Sequence, residues 1–485
     1  MKSTAYFFKT FFALLVATVA FFVFKLVLPE HLFPGTSEVL KNVTVDSLML
    51  EAVAKTSGIL HETIDTTVIQ DKITFEAIDG IQFPAENYET YEGHQYLIPF
   101  YEKLFLLETQ QKGKVRIAYF GDSMTDGDMI VKDFRKFLQE KFGGEGVGFV
   151  NITSESASSR SSLRHTFSPN WSSESYMKVR QPSAFFGVNG HVFYANDSLA
   201  YPWVNYKANN TPFATTIDQP TLFYGESANK GGSVFYVSKG DTISRKLNPS
   251  KVLNTVKISA GRLPSLQLYF KNADSIPFYG LNFDDGKGIH VDNFSSRGNS
   301  GLPLSLFSKK MMAAFQKELG YDLIVLHYGT NVLNYGSLNY SWYERRMEKV
   351  VAHLRECFPG VAILIVSTAD KATKYDLKMR TDSAVVPLSL AQKRYAIASN
   401  SGFVNLFQLM GGDGSMIQWV EEEPSKANKD YTHFNHRGAN AVGKMMFDQI
   451  QNGYNRYYKM RTKRQVVKKQ SDSIHQQSKD TLDVP

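Results

Sequence analysis

The feature that most constrains the fold is an apolar run, residues 117–120, that stops abruptly at Gly121-Asp122-Ser123. A helical pattern follows at Val131–Phe142, with Val131, Phe134 and Leu138 on one face. A strand that turns sharply into a helix is half of a βα unit. Such units assemble into parallel sheets whose functional residues collect at the carboxyl ends of the strands. A serine in that turn has an exposed hydroxyl, and nearby backbone N–H groups can face an incoming carbonyl oxygen. Alone, the tripeptide fits an ordinary helix-capping turn equally well.

The same rhythm returns after residue 288. A short strand at 289–292 runs into the Gly-rich turn 296–301, and an amphipathic helix at 308–319 leads to an apolar strand at 321–326. That strand ends in His327-Tyr328-Gly329-Thr330-Asn331. Helices at 343–357 and 388–399 precede strands at 361–366 and 403–406, and Asp430-Tyr431-Thr432-His433 stands before a last helix to about residue 450. Strands alternating with helices predict a parallel sheet covered on both faces. Residues 154–288 differ, with short aromatic strands among serines, asparagines and glycines, which predicts an inserted β-sandwich. Within it, Trp171, Trp203 and Tyr206 lie in Pro- and Asn-rich sequence and are the candidates for exposed aromatics that stack on sugar rings.

The chain begins with Lys2 and Lys9, followed by residues 11–24 without a charge, and no clear cleavage site follows. Residues 1–28 therefore read as a retained transmembrane signal-anchor, with the rest of the chain outside the cytoplasm (periplasmic). Residues 29–75 read as a stalk or loosely packed lead-in, and the basic stretch 459–485 as a disordered tail. A single cysteine, Cys357, excludes an intrachain disulfide and a thiolate metal cluster. The net charge of +7 suits an anionic membrane or wall polymer better than nucleic acid, which an exported chain rarely meets. Asp122, Asp126 and Asp128 could suggest a metal, but their place at a helix start makes them capping groups, and neither metal nor cofactor is expected.

Four turns at strand ends now stand together: Ser123, Gly298, Asn331 and the pair Asp430/His433. A carboxylate three residues before a histidine can hold the imidazole by Nδ1 while Nε2 faces elsewhere. His436 has no carboxylate at that spacing, and His327, on a buried strand, reads as a core histidine. The four blocks, in this order, resemble the GDSL/SGNH hydrolases; Met124 replaces the family's usual leucine, a volume-conserving change. The resemblance implies a flavodoxin-like three-layer α/β/α catalytic domain in two parts, 76–153 and 289–458. It implies Ser123 as nucleophile, His433 as base, Asp430 as its orienting acid, and an oxyanion hole from the N–H groups of Ser123 and Gly298 and the Asn331 amide.

With an anchor and an inserted β-module, the architecture is similar to that of periplasmic peptidoglycan O-acetylesterases. The expected reaction is removal of O-acetyl groups from a cell-envelope glycan, without a cofactor. Two alternatives stay open: an O-acetyltransferase using the same residues, and a non-catalytic glycan-binding protein. The oligomeric state is left open.

Overall fold

The computed structural model describes residues 11–12, 14–18, 46–56, 72–196, 200–238, 240–333, 335 and 338–480, the side chains of 55–56 and 466–480 excepted. Residues 1–44 and 45–485 form separate compact units. In the first, 11–12 and 14–18 are helical, and most of the predicted anchor over 1–28 lies outside the described residues. Among the described residues, no helix is long and apolar enough to cross a membrane.

The larger unit is built on five parallel strands: β1 (Lys114–Gly121), β2 (Gly288–Ser295), β3 (Leu323–His327), β4 (Ala362–Val366) and β5 (Gly402–Val404), in the order β2-β1-β3-β4-β5. Every residue of β3 and β4 is buried, so each reads as a continuous apolar run with no polar face. The strand order reverses direction at β1, and crossovers of the usual right hand then send the connecting helices to opposite faces. Helices α2 (Ile98–Gln110), α3 (Val131–Phe142) and α7 (His436–Asp480) pack together on one face. Helices α4 (Lys309–Leu319), α5 (Ser341–Cys357) and α6 (Val385–Ala398) form the other layer. The register places Gly121 beside both Ser295 and His327, so β1, β2 and β3 end level. Their following turns therefore rise from one edge, where the strand order reverses.

Between β1 and β2 the chain forms two large antiparallel sheets and a two-stranded ribbon of Ile217–Asp218 with Arg262–Leu263. One takes Asp241–Lys246, Ser233–Ser238, Ser265–Lys271, Trp203–Ala208 and Leu163–Phe167 in that order. The other takes Leu253–Lys257, Thr221–Gly225, Phe278–Phe283, His191–Ala195 and Trp171–Ser175, with Gly148–Val150 paired to Phe278–Phe283. Val204, Leu222, Leu268, Phe270 and Leu281 fill the space they share. The second sheet also meets the α/β core, because Phe149, Phe223 and Tyr279 surround Phe315 of α4 at ring separations of 6.2, 5.8 and 5.6 Å.

Arg116 of β1 ties the insert to the parallel sheet from inside. Its guanidinium is fully buried and donates to Asp292 of β2 (2.7 and 2.8 Å), to Asp284 (2.5 Å) and to Asn282 (2.5 Å). Asp292 also accepts from the Tyr321 hydroxyl at 2.7 Å and the Phe149 N–H at 2.9 Å. Burial opposes the charge on Arg116, but the two carboxylates hold its pKa above the ordinary arginine value.

Two segments are more ordered than their sequence suggests. Within the expected stalk, α1 (Ser47–Thr56) buries Met49 and Ala52, and Asp46 caps it by accepting the Met49 N–H at 2.8 Å. In the expected disordered tail, α7 continues from 459 to 480. Its first added turns are held to α2, where Glu102 accepts from Arg461 at 2.9 and 3.1 Å and from the Tyr457 hydroxyl. The start of this basic segment is tied down because Arg461 finds a carboxylate one helix away.

Candidate active site

Ser123 sits in the turn after β1, and Asp122 supports that turn by accepting the Met124 N–H at 2.9 Å. The second Asp122 oxygen is buried without a hydrogen-bond partner. Burial pushes this carboxyl up to about 6, against the opposing pull of the Met124 N–H and of His433.

His433 reaches the same turn from the loop before α7. Its Nε2 lies 3.0 Å from Ser123 Oγ, and its Nδ1 lies 2.8 Å from Asp430 Oδ2. Asp430 Oδ1 accepts the backbone N–H groups of Thr432 (3.0 Å) and His433 (2.9 Å), which closes the loop around the carboxylate. Burial would raise Asp430, but the His433 ring and these N–H groups hold it down at about 2. Asp430 is therefore ionised at neutral pH and stabilises an Nδ1–H tautomer, which leaves Nε2 as an acceptor facing the serine. His436 begins α7 instead. His327 takes part in the core, with Nδ1 2.8 Å from the Tyr119 hydroxyl, and burial pushes it down to about 4.

The turn after β2 carries Gly298 at φ 77°, a left-handed conformation that suits glycine. Among the described residues, no protein acceptor takes up the N–H of Gly298 or of Ser123. Asn331, after β3, is buried and donates Nδ2 to the Asn299 carbonyl at 3.2 Å, which ties its turn to that of Gly298. Three adjacent strands thus bring a hydroxyl, two backbone donors and an amide to one edge. Such an arrangement can attack a carbonyl carbon and hold the oxyanion that forms.

The remaining sequence candidates fall in the β-sandwich. Tyr206 is fully buried, stacked on His165 at 4.7 Å with its hydroxyl on the Asn151 carbonyl, so it presents no surface to a sugar. Trp171 and Trp203 are half-buried at the starts of strands and not in loops. Trp171 stands edge-on to Phe270 at 4.8 Å and donates Nε1 to the Trp203 carbonyl at 3.3 Å.

The structure adds one residue that sequence reasoning passed over. Asp46 accepts the Ser300 N–H at 2.8 Å and donates its own N–H to the Gly298 carbonyl at 3.2 Å, so it fixes the Gly298 turn from outside the sheet. The signal was present as a capping aspartate before the apolar positions Leu48, Met49 and Ala52. The three aspartates considered as a metal cluster are otherwise engaged. Asp126 accepts from Arg297 at 2.6 Å, and Asp128 takes a bidentate pair from Arg135 at 2.9 and 3.0 Å. Among the described residues no group of three or more metal-ligating side chains occurs.

The chain matches no protein-family model and no curated protein. Among solved structures, it is similar to one titled "Peptidoglycan O-acetylesterase in action", at 21% identity and a TM-score of 0.60 over 76% of this chain and 97% of that one. The two share a fold over nearly the whole of that protein. A family two carbohydrate esterase from Cellvibrio japonicus (11% identity, TM-score 0.25, 61% of this chain and 98% of that one) also matches. So does an acetyl xylan esterase (17% identity, TM-score 0.26, 33% of this chain and 80% of that one).

Proposed function

We propose that this protein is a serine esterase that removes O-acetyl groups from a cell-envelope glycan. The observation that carries the reading is the continuous relay from Asp430 through His433 to Ser123 at 2.8 and 3.0 Å, beside unengaged backbone donors. In this reading Ser123 Oγ attacks the acetyl carbonyl while His433 Nε2 takes its proton. Negative charge gathers on the carbonyl oxygen, where the N–H groups of Ser123 and Gly298 and the Asn331 amide stabilise it. The imidazolium, steadied by Asp430, returns the proton to the departing sugar hydroxyl. Water then attacks the acetyl-serine by the same path in reverse order and releases acetate.

The choice of an acetylated glycan is supported by the shared fold with the peptidoglycan O-acetylesterase across 97% of that chain. Attachment to a membrane by residues 1–28, with the catalytic unit outside the cytoplasm, is part of the proposal and rests on the charge-free run 11–24. Incubation with an O-acetylated wall preparation tests the activity, with acetate release expected. Release of acetate that is replaced by acetyl transfer when glycan acceptor is in excess would identify a transferase, and absence of both would reject the assignment.

A further inference from the structure

The lead-in to the α/β unit reaches the active-site edge through Asp46. This residue caps α1 with one carboxylate oxygen, Oδ1, which accepts the Met49 N–H at 2.8 Å. Its other oxygen, Oδ2, crosses to the turn after β2 and accepts the Ser300 N–H at 2.8 Å. The helix itself does not depend on that second contact. Met49 and Ala52 are fully buried, and Glu51 pairs with Arg180 of the insert at 2.6 Å.

A helix cap needs one acceptor, and serine or asparagine supplies it without a charge. Asp46 is buried instead, and burial pushes its carboxyl above the ordinary value against the pull of the Met49 and Ser300 N–H groups. The second oxygen has to be explained by what it holds. The Ser300 N–H belongs to the same planar peptide as the Asn299 carbonyl, and in a trans peptide the two point opposite ways. That carbonyl accepts Asn331 Nδ2 at 3.2 Å. A side-chain amide carries two hydrogens on Nδ2, so one is engaged by Asn299 and the other remains for a substrate oxygen. Asp46, the 299–300 peptide and the Asn331 amide therefore form one continuous chain of hydrogen bonds. The carboxylate at its head polarises the peptide and strengthens the carbonyl as an acceptor.

We propose that Asp46 is a positioning residue for the oxyanion hole, acting through the Asn299–Ser300 peptide to aim the Asn331 amide. The inference rests on the esterase reading and extends the active centre to a residue outside the parallel sheet. When the Asp46 carboxylate is replaced, the Ser300 N–H loses its acceptor and the peptide is free to tilt. The second Asn331 hydrogen then leaves the line to the carbonyl oxygen. The Gly298 N–H is spared, because the Gly298 carbonyl is held by the backbone N–H of Asp46, which a side-chain substitution keeps. The effect is thus confined to Asn331.

Steady-state kinetics on small acetyl esters with full-chain Asp46→Asn and Asp46→Ser tests this. Either replacement caps α1 at the Met49 N–H, but each has a single side-chain oxygen in place of two and leaves Ser300 without its acceptor. A loss of kcat of roughly tenfold with KM within about twofold is expected, smaller than for Asn331→Ala because the donor is misaimed and not absent. In the Asn331→Ala background the same substitutions should change kcat by less than about twofold, since the group they aim is gone. The two variants are independent, so if one fails to fold the other decides. An equal loss in both backgrounds would overturn the proposal. So would kcat within about twofold of native in the single variants, which is the behaviour of a helix cap alone. Either result leaves the esterase reading intact, whereas a native protein that turns over no acetyl ester would remove that reading and this inference with it.

Discussion

Two clusters in this molecule join aspartate to a nitrogen base, and they are built in opposite ways. Around Arg116 the side chains of the cation and of Asp292 have no exposure, and Asp284, Asn282 and Tyr321 complete the network. In the relay, the His433 and Asp430 side chains are 39% and 50% exposed. The buried cluster satisfies its donors with fixed acceptors, so it can hold the insert against the parallel sheet but has no valence left for chemistry. The exposed pair contributes little to stability, because solvent screens it. Its loop nevertheless spends two N–H groups on orienting Asp430. An arrangement held so carefully for so little stability is expected where the imidazole has work to do on a third group, and that group is Ser123.

The comparison breaks most visibly at His433. His433→Ala should reduce kcat for small acetyl esters on the order of a millionfold, as expected when nucleophile and base act as a unit. His436→Ala should leave turnover within a few-fold, and steady-state kinetics on both variants decides between them. The melting point of the His433 variant should scarcely move. Asp292→Ala should do the reverse. It leaves the buried Arg116 with only one of its two carboxylates, Asp284, and costs about 3–5 kcal/mol in urea unfolding, while the folded fraction keeps its kcat.

A smaller effect is expected at Asn331, which has features of both clusters. Asn331→Ala should lower kcat by about a hundred- to a thousandfold with little change in KM, because the amide acts mainly on the transition state. A lower melting point with kcat within a few-fold would reduce Asn331 to the residue that ties two turns together. Asp122 sharpens the contrast last. Its carboxyl is raised to about 6, so the folded state holds the proton more tightly, and stability falls as pH rises from the ordinary carboxylate range through 6. Above that pH the buried charge costs up to about 3 kcal/mol. Asp122→Asn should therefore be more stable at pH 8, and the gain should vanish below about pH 4 in melting curves taken across this range.

The parallel sheet and its strand-end turns were legible because they rest on local pattern. Apolar runs that stop at Gly121 and Gly329 announce their turns without help from distant residues, whereas Asp430 and His433, expected at a strand end, follow a polar stretch and lie in the loop between the helix Ser415–Glu421 and α7. What could not be read depends on partners far along the chain. Asp46 earns its place only through Ser300 and Gly298, and α1 only through the surface it covers. The tail looks unable to bury anything until Glu102 is placed beside Arg461. Tyr206 is a different failure, since the pattern was available. A strand alternates faces, so Trp203 and Asn205 share one side while Val204 and Tyr206 share the other, and Trp203 and Tyr206 cannot both face outward. The aromatic ring that sequence assigned to sugar is a core residue stacked on His165.

The central claim is that Ser123 forms the acyl-enzyme, and acetate release tests it most directly. An O-acetylated wall preparation should lose acetate to the native protein and none above background to Ser123→Ala, with both proteins showing the same melting point. Acetate release by folded Ser123→Ala at a rate within tenfold of the native protein would contradict the account.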